Sequence, residues 1–224
     1  MKRWIGALFL LLLCVSCGKE IPQEESGRYR IGVSLPHTDS VYRSAMKSLA
    51  EQEYQDSDRV ELILMDGEGS QKKQNENLRD LIDGGVDALV LVPTTLSGPV
   101  PMVRYANERE IPVVVVDDSL DMTQGISVVS LVTSDNETIG YMAADLLIQG
   151  LKENYPVWNV VELTGPPKSS SVISRTEGRK KAWDGIFQLN LAGSYDADYD
   201  REHAKSVMQS CLNLGEVHGI LCQN

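Results

Sequence analysis

The chain has 224 residues, 42% hydrophobic and 24% charged, with 21 Lys and Arg against 32 Asp and Glu for a formal charge of −11. That length suits one large domain or two modest ones, and the mixed composition is neither disordered nor fibrous. The acidic balance excludes nucleic acid as a partner, and four Cys with three His are too few for a metal cluster or a disulfide scaffold.

The chain opens on Met1-Lys2-Arg3, a basic start, followed by the apolar run Trp4 to Leu13. A membrane span needs about 20 apolar residues, so residues 1–16 read as a signal peptide. Ser16 is a small residue directly before Cys17, and the segment resembles a bacterial lipobox with Cys17 as the lipid acceptor. Cys14 stands where that pattern usually has Leu. An ordinary cleaved signal peptide and an uncleaved anchor are the alternatives. Residues 17–28, rich in Glu, Gln, Ser and Gly, read as a flexible tether. A lipid at Cys17 would hold the folded body on a membrane, outside the cytoplasm.

Beyond the tether, strand-like runs begin at Tyr29, Arg59, Asp87 and Pro112, about every 25–30 residues. Between them lie helical stripes: Val41, Ala45, Met46 and Leu49; then Leu78, Leu81 and Ile82 behind a cap at Ser70; then Val103 and Ala106 after Gly98-Pro99. Val113–Val116 is continuously apolar, as in a parallel sheet with both faces covered. After a strand at 126–132, Thr133 to Asn136 starts a long helix with Ile139, Met142, Ala143, Leu146 and Leu147 inward. The rhythm then resumes with strands at 158–163, 190–194 and 217–222 and helices near 172–187 and 201–214. Cys211 and Cys222 read as two buried free thiols.

This alternation predicts an α/β protein of two doubly wound parallel-sheet lobes, at 29–133 and 134–224. The second lobe has three strands against five, so a truncated chain is expected, short of roughly 60 to 90 residues.

Ligands of open parallel sheets bind beyond the carboxyl ends of the strands. Those ends carry Ser34, His37, Asp39 and Tyr42; Pro93-Thr94-Thr95; Asp117 and Asp118; Gly165 to Ser171 with Arg175 one turn on; Asp196 to Tyr199; and Gln223-Asn224. Carboxylates, a guanidinium, amides and aromatic rings suit a polyhydroxylated ligand, whose hydroxyls donate and accept and whose C–H faces pack on rings. Asp135 and Asn136 are equally explained as a helix start.

Enzyme signatures fail. A phosphate loop needs Gly where Pro167 and Glu162 stand around Lys168-Ser169. Asp66-Gly67-Glu68-Gly69 lacks the third Gly of a dinucleotide fingerprint. No Gly-x-Ser-x-Gly occurs, and His37, His203 and His218 lack metal-ligand spacing. No cofactor is expected.

In this order, Ile31-Gly32-Val33-Ser34, Asp87–Pro93, Ile111–Asp117, Ser134-Asp135-Asn136, Arg175-x-x-Gly178, Ala197–Arg201 and Cys222-Gln223-Asn224 resemble the type I periplasmic binding proteins of the ribose and galactose kind. The resemblance covers residues 29–224 and implies ligand contacts at Ser34, Asp39, Tyr42, Asp117, Asn136, Arg175, Tyr199 and Asn224. Asp118 stands where an Arg is frequent, and Val92 where ribose-type members carry Asn, so a ligand other than ribose is expected. Asp118 joins the candidate contacts as an added acceptor. The implied function is capture of a sugar or polyol by a lipid-anchored lipoprotein that docks on an ABC permease. A receptor feeding a membrane kinase or chemoreceptor is the alternative. A cytoplasmic regulator would need a helix-turn-helix where the signal peptide lies.

Overall fold

A computed structural model describes residues 27–223. The expected signal peptide, nearly all of the tether, Cys17 and Asn224 lie outside the described residues. The elements alternate as β1 (Tyr29–Leu35), α1 (Val41–Tyr54), β2 (Val60–Asp66), α2 (Gln71–Asp83), β3 (Ala88–Leu91), α3 (Val100–Asn107), β4 (Val113–Val116) and β5 (Ser130–Val132). They continue as α4 (Asn136–Lys152), β6 (Trp158–Thr164), α5 (Ser170–Trp183), β7 (Leu189–Asp196), α6 (Arg201–Leu214) and β8 (Gly219–Cys222). All pairings are parallel, in a five-stranded sheet ordered β2-β1-β3-β4-β5 and a three-stranded sheet ordered β7-β6-β8. The two-sheet α/β architecture is the one expected.

Each sheet is covered by helices because its strands are apolar on both faces. In the first lobe, Leu78, Leu81 and Ile82 of α2 and Val103 and Ala106 of α3 pack on Leu89, Leu91, Val113 and Val115. The opposite face, with Val33, Leu35 and Val92, meets Met46 of α1. An apolar hollow of about 440 Å³ lies beneath α1, lined by mostly aliphatic side chains with Tyr54 and one charged residue, Lys47. In the second lobe, α4 and α5 cover one face through Ala144, Ile148, Leu151 and Trp183, and α6 covers the other around Val161, Leu163 and Cys211.

Several expected details shift. The stripe Val41–Ala45–Leu49 does not face inward: Val41 is 90% exposed and Leu49 66%, and α1 buries Arg43 instead. On α4, Ile139, Met142 and Leu146 are exposed, and the buried side carries Asn136, Gly140, Ala144, Ile148 and Leu151. Helix α5 stops at Trp183 rather than near Phe187, because Gly185 turns the chain with φ 72°. β5 is three residues, since Asn107 clamps Ser127 through its side chain on both N–H and C=O and holds the preceding residues in a loop. Cys222 is exposed, not buried.

The close approach of α4 and α5 explains the small residues on α4. A Cβ on Gly140 would overlap the backbone of Arg175, and one on Gly178 would overlap the Glu137 carbonyl oxygen. Two glycines therefore set the distance between the helix that carries Asn136 and the helix that carries Arg175. Gly178→Ala should force the helices apart and lower stability by about 1–3 kcal/mol. Urea unfolding measures this, and an unchanged midpoint would mean the crossing tolerates a methyl group.

Candidate functional site

Three strands that are neighbours in the first sheet end in polar groups. Ser34 is the last residue but one of β1, Thr94 stands three residues past β3, and Asp117 follows β4. Asp117 adopts φ 68°, a left-handed conformation that costs a non-glycine residue about 1 kcal/mol or more. Its backbone is fixed by Asp117 N–H donating to Val132 O at 2.8 Å and by Thr133 Oγ1 donating to its carbonyl. Its carboxylate pairs with Arg43 Nη2 at 2.8 Å, and Tyr42 Oη donates to it at 3.4 Å. Burial pushes the Asp117 pKa upward; Arg43 opposes this, Asp118 adds to it, and Arg175 opposes it from the second lobe. Burial raises the Tyr42 phenol as well, followed by the Asp117 charge.

The second lobe answers with Arg175 on α5. Its Nε donates to Asn136 Oδ1 at 2.9 Å and its Nη1 to the Gln223 carbonyl, so the guanidinium spans the starts of α4 and α5 and the end of β8. Tyr199, with φ 55° beside Asp198 at φ 53°, lays its ring against Gly165, where any Cβ would overlap it. Its hydroxyl is 3.2 Å from Ser171 Oγ.

The lobes touch through Asp118, which is 5% exposed. Its Oδ1 accepts from Ser169 Oγ at 3.1 Å, Ser170 Oγ at 2.9 Å and Ser171 N–H at 3.0 Å, and Arg43 Nη2 lies 3.4 Å from its Oδ2. Ser169, at the N-cap position of α5, makes no capping bond of its own; the carboxylate of the other lobe does that work. Ser119 N–H to Ser170 Oγ at 2.6 Å and Leu96 N–H to Lys168 O at 3.0 Å complete the seam.

Of the expected contacts, Ser34, Tyr42, Asp117, Asn136, Arg175 and Tyr199 thus gather at the strand ends. Asp118 is there too, but its carboxylate is occupied by the seam. Asp39 is not brought in: its carboxylate is 87% exposed and touches His37. Sequence reasoning missed Arg43, whose signal was its place on the same helical face as Met46 and Ala50. Four buried polar atoms lack a partner among the described residues: Ser34 Oγ, Arg43 Nη1, Thr94 Oγ1 and Gln223 Oε1. Buried polar atoms are nearly always paired, so these are the atoms a polar ligand would satisfy. The hollow beneath α1 offers no such set.

A family model described as a periplasmic binding protein domain matches residues 31–224. The chain is 30% identical to the galactofuranose-binding protein YtfQ of Escherichia coli (strain K12) over 182 residues, 81% of this chain and 56% of that protein. It is 31% identical to the ribose import binding protein RbsB of Bacillus subtilis (strain 168) over 221 residues, 95% of this chain and 70% of that one. The fructose-binding periplasmic domain of a hybrid two-component system superposes with a TM-score of 0.78 at 25% identity, covering 87% of this chain and 63% of that one.

Because the Asp117 carboxyl holds its proton more readily folded than unfolded, its contribution to stability is present at low pH. That contribution is lost as pH rises from the ordinary carboxylate value of about 3.9 through the folded value. Melting temperature against pH should therefore fall less steeply over that window in Asp117→Asn than in the wild type. Parallel profiles would remove Asp117 as its source.

Proposed function

This chain belongs to the periplasmic binding protein family, and we propose that it captures a neutral sugar or polyol between its lobes and passes it to an ABC permease. The observation that carries the reading is the set of unpartnered buried atoms: Ser34 Oγ near the end of β1, Thr94 Oγ1 after β3, Arg43 Nη1 on α1 and Gln223 Oε1 after β8. Two hydroxyls, a guanidinium edge and an amide oxygen complement the hydroxyls and ring oxygen of a monosaccharide. Charge supports neutrality: Asp117 and Asp118 are matched by Arg43 and Arg175, so an ionic ligand would leave one charge uncompensated. The relatives named for galactofuranose, ribose and fructose support a monosaccharide.

In this reading Asp117 and Arg43 bind from the first lobe, while Asn136, Arg175 and Asn224 bind from the second. Tyr42 and Tyr199 pack on the ring, and Asp118 holds the lobes together. Asp39 is left at the rim. The ligand leaves chemically unchanged, and the protein sits outside the cytoplasm, anchored by a lipid on Cys17 with residues 17–28 as tether. A sensor that presents its closed lobes to a membrane kinase is the second reading, favoured by the likeness to the two-component periplasmic domain.

A thermal-shift panel of D-ribose, D-galactose, D-fructose, D-allose, xylitol and myo-inositol should show at least one stabilising compound. Saturation at a hundred times Kd corresponds to about 2.7 kcal/mol. Arg43→Ala and Arg175→Ala should abolish the shift, and a shift that survives both would sink the site. Loss of uptake of the radiolabelled compound on deleting the gene supports import; intact uptake with a lost transcriptional response supports the sensor. For the anchor, radiolabelled palmitate should enter the wild-type protein and not Cys17→Ser, which should leave the membrane fraction. Label in the variant would refute Cys17.

A further inference from the structure

Below the site, the second lobe buries an ion pair that ligand contact does not use. Glu162 on β6 has no exposed surface. Its carboxylate accepts from Arg179 Nε at 2.9 Å, Gln223 Nε2 at 2.8 Å and Ser194 Oγ at 2.6 Å, joining α5, the end of β8 and β7. Gln223 is the member that reaches the site. Its Nε2 also donates to Thr176 Oγ1 at 3.0 Å, its N–H donates to Leu163 O at 3.0 Å, and its carbonyl accepts from Arg175 Nη1.

A carboxylate only accepts, so it is the NH₂ of the Gln223 amide that must face Glu162. That orientation ties the residue holding Arg175 to a charge in the core. Helix α5 is held as well by the Gly178 contact with α4 and by buried Val172 and Trp183. Buried carboxylate–guanidinium pairs often contribute no more stability than apolar residues of the same volume. A role beyond packing fits their presence here.

We infer that Glu162 is a positioning residue for Arg175. It locks Gln223 so that the Gln223 carbonyl takes Nη1, Asn136 takes Nε, and the Nη2 edge of the guanidinium faces the ligand. The inference rests on the reading of Arg175 as a ligand contact and explains how that side chain is aimed before the ligand arrives.

The test is the double variant Glu162→Leu/Arg179→Met in the full chain, which removes both charges together and leaves no charge unpaired. Gln223→Ala, which keeps the ion pair, serves as a second route should the double variant fail to fold. Two readouts are taken. In ¹⁵N spectra the Arg175 Nη–H signals, identified by their loss in Arg175→Lys, should be exchange-protected in the wild type and should exchange like a free arginine in both variants. In calorimetric titrations with D-ribose, D-galactose, D-fructose and myo-inositol, affinity for any compound the wild type binds should fall about tenfold or more. An unchanged Arg175 signal in folded variants overturns the inference, whether or not affinity falls, because the effect would then not pass through Arg175. Wild-type affinity in Arg175→Ala overturns the site reading instead, while the Nη–H signals still judge the positioning. If none of the four compounds binds the wild type, those signals alone decide.

Discussion

Asp118 leaves the end of β4 in one lobe and caps α5 in the other, accepting from two serine hydroxyls and one backbone N–H. A helix start carries partial positive charge and unpaired N–H groups, so a carboxylate there is stabilised twice, by hydrogen bonds and by the helix dipole. Arg43 lies against the same carboxylate and against Asp117, which makes one guanidinium common to the seam and the candidate ligand pair. Serine side chains that would otherwise cap their own helix are turned outward to the other lobe. The position of α5, and with it Arg175, is therefore registered against the first sheet. Tyr199 follows, through Ser171.

Around this seam the chain accepts local costs. Asp117, Asp198 and Tyr199 all take left-handed backbone conformations, each worth about 1–3 kcal/mol of strain, and all stand at the carboxyl ends of strands. Gly140 and Gly178 give up side-chain burial to let α4 and α5 approach. Both are understandable where side chains from two sheets must converge on one small volume.

How much of this the sequence reveals differs by level. The strands β1 to β4 and β6 to β8 are legible because continuous apolar runs such as Val113–Val116 have one good explanation, a sheet covered on both faces. The inward faces of α1 and α4 are not. On α1 the apolar stripe Val41–Leu49 is exposed and Arg43 is buried, because an ion pair with Asp117 outweighs apolar periodicity at that position. On α4 the contact is made by Gly140 and Ala144, whose value is small size, which a hydrophobic pattern cannot register. Strand-end listing found Ser34, Asp117 and Tyr199 because the rule for open sheets is positional. It could not tell Asp118, consumed by the seam, from Asp117 next to it. Both carboxylates follow the same strand, and only the folded backbone sends one to α5 and leaves the other with Arg43 and Tyr42.

That division of labour between adjacent residues bears on specificity. The resemblance to ribose-type proteins places an Arg where Asp118 stands, so a cation there would be available to a ligand. Here the position carries an acceptor that points away into the seam, and the guanidinium beside it is that of Arg43 on α1. Arg43 approaches the strand ends from the helix side, beside Tyr42. With Arg43 Nη2 committed to Asp117 and Asp118, Nη1 is the edge left over, and it is buried. A hydrogen-bonding site rejects analogues lacking the matching group far more strongly than an apolar pocket rejects an extra methylene. On the proposed reading, selectivity should therefore be sharpest for the ligand atom that meets Arg43 Nη1, which must be an acceptor such as a ring oxygen or a hydroxyl oxygen.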